Sequence, residues 1–108
     1  MRPFATAAAF FALAAPALAN SAGDPAEGRK LATQCQVCHG LNGLGTNPTV
    51  PNIGGESAMY LTKQLEDFRE GRRVNEQMSI MAEGLTDEEI AHLAAWYSAI
   101  EITVTMPE

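Results

Sequence analysis

Cys35-Gln36-Val37-Cys38-His39 constrains the fold more than any other stretch of this chain. Cys35 and Cys38 are its only two cysteines, and His39 is one of only two histidines. Two thiols three residues apart, followed at once by an imidazole, form the pattern that fixes a haem by two thioethers and ligates its iron. A chain that carries this pattern has to fold around a large, flat, apolar body. Three rivals exist. A short disulfide is open to any exported C-x-x-C. A zinc site would need a fourth ligand, and none is evident. A redox-active thiol pair of the thioredoxin kind would want a βαβ context, and this chain has little strand signal.

The N-terminus supports the haem reading through its address. Residues 1–19 hold one early charge, Arg2, then an uncharged Ala/Phe/Leu stretch closing on Ala17-Leu18-Ala19. That is a signal peptide with cleavage expected before Asn20. The apolar stretch is short for a membrane span, so no membrane anchor is expected after cleavage. In bacteria haem is attached to such motifs outside the cytoplasmic membrane, which makes export a requirement of the chemistry. The expected location is the periplasm.

Residues 20–108 then form one small domain, with a core at about 24–100 and a tail at 101–108. So short a chain buries a modest core and gains from a cofactor at its centre. The formal charge of the full chain is −6, and losing Arg2 with the leader makes the remainder more acidic. This balance excludes nucleic acid as a partner and favours basic or mixed-charge redox proteins.

The patterning is all-α, with three main helices. Asp24-Pro25-Ala26-Glu27 begins the first: an N-cap acid, proline at the first helical position and a further acid at the third. Gly28 in its interior costs roughly 1 kcal/mol against alanine, which close helix packing would justify. Residues 40–56 are rich in Gly, Asn and Pro and read as a long loop wrapped round a haem edge. A second helix runs from about Ser57 to Glu70, with Leu61, Leu65 and Phe68 on one face and Gly71 as its stop. Thr86 and Glu89 form a capping box for the last helix, whose stripe is Ile90, Leu93, Ala94 and Tyr97, with Trp96 and Ile100 on the flank.

His39 is the proximal ligand candidate, oriented by a backbone carbonyl from the Pro48–Ile53 segment. For the sixth position the chain offers methionine or the remaining histidine. His92 falls opposite the last helix's stripe and is expected to face water. Met78 and Met81 sit in a loop-like segment from which a thioether can swing to iron, and each has the plainer reading of adaptable core filler. Met59, on the middle helix, is read as filler.

Taken in order, Cys35–His39, Pro51-Asn-Ile-Gly-Gly55, the segment Tyr60–Gly71 and Leu85–Ile90 resemble class I c-type cytochromes. The likeness is strongest to small single-haem periplasmic forms and to either half of the tandem dihaem ones, and it spans Asp24 to about Ile100. It implies one covalent haem c held by Cys35 and Cys38, with His39 and Met78 as axial ligands and Met81 as runner-up. It also implies that Pro51 accepts a hydrogen bond from His39, and that Gly28 meets Tyr97 and Trp96 where the first and last helices cross. By the same resemblance Arg73 and Asn75 lie near a haem propionate or the methionine segment. The function implied is one-electron transfer without an acid, base or nucleophile. The protein is then a soluble shuttle, or the haem subunit of an oxidoreductase such as a flavocytochrome c sulfide dehydrogenase. Its partners would be a flavoprotein or a membrane-bound oxidase or reductase. A haem sensor with an open sixth position would require both Met78 and Met81 to be off the iron. The tail departs from the pattern: Ile102 and Val104 alternate with Thr103 and Thr105, as an extended packing segment or a frayed end would.

Overall fold

Asp24 starts the first helix of the computed structural model, which describes residues 22–108; the leader assigned to residues 1–19 lies outside them. Asp24 Oδ1 accepts from the Ala26 amide at 2.8 Å, and Pro25 fills the first helical position of α1, Pro25–Leu31. That position needs no amide hydrogen, and proline's fixed φ already suits it. A 3-10 turn at Ala32–Gln34 then tightens the chain into Cys35, the N-cap of α2, Gln36–His39. Gly40 stops α2 at φ 71°, in the region that favours glycine.

After an irregular stretch, Ser57 caps α3, Ala58–Arg69, by accepting from Tyr60 N at 3.2 Å. Asn75 Oδ1 accepts from Gln77 N and Met78 N at 3.0 and 2.9 Å and so opens α4, Glu76–Glu83. The reciprocal Thr86/Glu89 box opens α5, Asp87–Ser98. The fold is all-α, with no strand among the described residues. The three expected helices are present, and α2 and α4 are added. The loop expected around Met78 and Met81 is therefore corrected to a helix, because Asn75 supplies the two bonds that a short helix most lacks at its start.

α1 crosses α5, and α3 lies against both α4 and α5. Ala32, Leu61, Leu93, Ala94 and Tyr97 form the buried cluster, with Cys35, Leu65 and Trp96 among the side chains packed on it. The cysteine motif thus abuts the core. Arg69 fastens the far end: Nη1 donates to the Leu85 carbonyl at 3.1 Å and Nη2 pairs with Asp87 at 2.7 Å.

Two side-chain expectations are corrected. Met59 is 83% exposed and fills no core, since it lies about 200° round α3 from Leu61. His92 does not face water: its side chain is 19% exposed, and Nδ1 accepts the Asp24 amide at 2.8 Å. Residues 101–108 carry no regular structure and are exposed, with Ile102 lying against Gly55.

Candidate haem-binding site

Cys35 and Cys38 stand one helical turn apart, which turns both sulfurs to one face. Both are part-buried and not joined in a disulfide. His39 N and Cys38 N both bond back to the Cys35 carbonyl, at 2.9 and 3.3 Å, so the local backbone is a single tight turn. Burial pushes the Cys35 thiol up to about 11, which keeps the unattached sulfur protonated near neutral pH.

His39 is 8% exposed. Its Nδ1 lies 2.8 Å from the carbonyl oxygen of Pro51. A carbonyl can only accept, so Nδ1 carries the hydrogen, and the neutral ring presents its lone pair at Nε2. An imidazole prepared in this way is a ready metal ligand, its donor strength raised by the bond on the other nitrogen. Pro51 lies in the segment expected to supply this acceptor.

The irregular stretch that carries Pro51 is held by its own cross-ties. The Gly43 carbonyl accepts from Ile53 N at 2.7 Å and Gly54 N at 3.1 Å, and Asn52 Oδ1 accepts from Gly45 N at 2.8 Å. Thr46 donates from its amide (2.8 Å) and its hydroxyl (3.1 Å) to the Cys38 carbonyl. Gly43, Gly45 and Thr46 did not stand out in the sequence, because their partners lie across the loop and Gly43 and Gly45 act through backbone groups alone. From α5, Trp96 Nε1 donates to the Leu41 carbonyl at 3.0 Å and the Tyr97 hydroxyl to the Gly40 carbonyl at 3.2 Å.

Met78 and Met81 are both part-buried on α4, three residues apart and so on neighbouring positions of one face. Asn75 spends its side chain on the cap beneath Met78. Arg73 Nη1 donates to Gln64 Oε1 at 2.6 Å, and its guanidinium stacks 4.6 Å over the Phe68 ring. Among the described residues no three His, Cys, Asp or Glu side chains gather as a bare metal ion would need. Two adjacent thiols, a pre-oriented imidazole and a part-buried thioether pair are instead the donor set that a covalent haem takes.

Comparison with known proteins points to the same cofactor, a covalent haem c. A family model described as cytochrome c matches residues 25–99. The chain is similar to cytochrome c-554(548) of Halomonas halodenitrificans, with 43% identity over 83 residues covering 74% of this chain and 100% of the relative. It is 40% identical over 70 residues to the cytochrome subunit of sulfide dehydrogenase of Chlorobaculum tepidum, covering 65% of this chain and 62% of that one. The crystal structure of reduced recombinant cytochrome c4 from Pseudomonas stutzeri matches with a TM-score of 0.64 at 34% identity. That match covers 73% of this chain and 50% of the other, so the chain spans about half of the cytochrome c4.

Proposed function

This chain belongs to the cytochrome c family, and from that premise we propose that it is a periplasmic one-electron carrier with a His39/Met78-ligated haem. One covalent haem c is its cofactor. When bound, that group supplies the Fe(III)/Fe(II) change, while the protein binds, orients and shields it. Cys35 and Cys38 are the attachment points, and His39 Nε2 is the proximal ligand. The observation that carries the reading is the 2.8 Å contact between His39 Nδ1 and the Pro51 carbonyl, one residue from the attachment turn. Met78 takes the sixth position by its place in the family's pattern, on a helix that Asn75 holds at its first turn. A thioether opposite an imidazole raises the reduction potential and closes the iron to substrate, which suits electron transfer rather than catalysis.

The experiment is the absorption spectrum of the oxidised protein, where a sulfur-to-iron charge-transfer band reports the methionine. Met78→Ala abolishes the band and Met81→Ala retains it. The reverse pattern would move the ligand to Met81.

A second reading makes the chain the electron-accepting haem subunit of a periplasmic oxidoreductase whose other subunit is a flavoprotein. Its support is the similarity to the sulfide dehydrogenase subunit, together with the exposed Ile102, Val104 and Met106 of the tail.

A further inference from the structure

We infer that Tyr97, with Trp96 beside it, is the positioning residue of the axial histidine: from α5 it fastens both ends of the loop that presents Pro51 to His39. The inference rests on the ligation by His39 proposed above. Tyr97 is only 3% exposed and uses two separate groups. Its hydroxyl donates to the carbonyl of Gly40, the residue after His39, at 3.2 Å. Its own carbonyl accepts from Gly55 N, four residues beyond Pro51, at 2.9 Å. Trp96 adds the bond to Leu41. The path from His39 through Gly40, Tyr97, Gly55 and Pro51 back to His39 is therefore a closed ring of covalent and hydrogen bonds.

Packing alone does not call for the hydroxyl, because phenylalanine would fill nearly the same space. Burial pushes the Tyr97 phenol well above its ordinary range, so its hydrogen stays available to Gly40. The ring matters to the iron because the bond at Nδ1 sets how strongly Nε2 donates. A slack loop lengthens the His39–Pro51 contact, weakens that donation and disfavours Fe(III), so the potential rises.

The test uses the haem-loaded full chain with Tyr97→Phe and Trp96→Phe, which remove one donor each and keep a ring. Tyr60→Phe, at a half-exposed position on α3, is the control. Midpoint potential and the hyperfine-shifted proton resonances of His39 in the oxidised state are measured. Expected is a rise of up to about fivefold in the one-electron equilibrium, taking one hydrogen bond at ~1 kcal/mol, or about 40 mV at 59 mV per tenfold. The His39 resonances move with it, and the control changes neither. If unfolding midpoints fall while potential and resonances stay at wild-type values in both variants, the aromatic pair supports the fold alone and the inference is overturned. A wild-type spectrum without axial resonances from His39 would instead overturn the ligation reading. Should Tyr97→Phe not retain haem, Trp96→Phe carries the same comparison.

Discussion

Asp67 is a carboxylate buried beneath two cations. Its side chain is 11% exposed, bonded to Lys63 one turn back on α3 and to Arg72 Nε at 2.8 Å beyond the helix end. The bond to Lys63 first, then that to Arg72, holds its carboxyl below the usual carboxylate range. An unfolded Asp titrates near 3.9. The group therefore adds stability that is fully present above about pH 5 and disappears as pH falls through the lower native value. Asp67→Asn removes that contribution. Unfolding of wild type and variant, compared between pH 3 and 7, gives a constant difference above about pH 5 that shrinks below about pH 4. A difference independent of pH would refute the assignment. At this scale the sequence was legible where chemistry is local, as with the cysteine pair, the adjacent imidazole and the Thr86 cap. His92 was not, because the amide it serves on Asp24 lies 68 positions away. Only the crossing of α1 over α5 brings the two together.

That crossing turns on Gly28. A Cβ built there would lie 1.9 Å from the His92 carbonyl oxygen and 2.8 Å from Trp96 Cβ. Backbone cannot yield as a side-chain tip can, so Gly28→Ala must push α1 off α5. Overpacking of this kind costs about 1–3 kcal/mol, and better helix propensity offsets about 1 kcal/mol of it. With backbone as the obstacle the upper end applies, and a net loss of about 2 kcal/mol is expected in denaturant unfolding of the haem-loaded protein. An unchanged or higher midpoint would mean that the helices pack less closely than this. The three expected helices were legible from signals in their own sequence: the Asp24-Pro25 start of α1, the stripe and Gly71 stop of α3, and the capping box and stripe of α5. α4 was not. It is eight residues long, its apolar positions include exposed Ile80, and Asn75 reads equally well as a loop residue. What makes it a helix is one side chain accepting two amides and the face of α3 behind it.

At the scale of the whole molecule, the cations among the described residues are spent internally. Lys30 pairs with Glu27, Lys63 and Arg72 with Asp67, and Arg69 with Glu70 and Asp87. Arg29 lies 5.8 Å over Trp96, and Arg73 is stacked on Phe68. Exposed Glu56, Glu76, Glu83, Glu101 and Glu108 are left to set the outward field of a chain with net charge −6. A mobile carrier with such a field should meet cationic reagents faster than anionic ones, the more so at low salt. Stopped-flow reduction by a small cationic metal complex is expected to slow at least about tenfold as ionic strength rises, because the Debye length shrinks from about 30 Å at 0.01 M to 3 Å at 1 M. Reduction by an anionic complex of similar potential speeds up over the same range. Equal responses to the two reagents would show that the haem edge does not sense this field. The same native protein separates the shuttle from the subunit. A carrier elutes alone on size exclusion, whereas a subunit co-elutes with its flavoprotein and is released when residues 101–108 are removed. That removal takes away the apolar strip of Ile102, Val104 and Met106, exposed by 59%, 70% and 76%. Such side chains fit a permanent contact better than a collision, so co-elution lost on truncation would displace the shuttle reading.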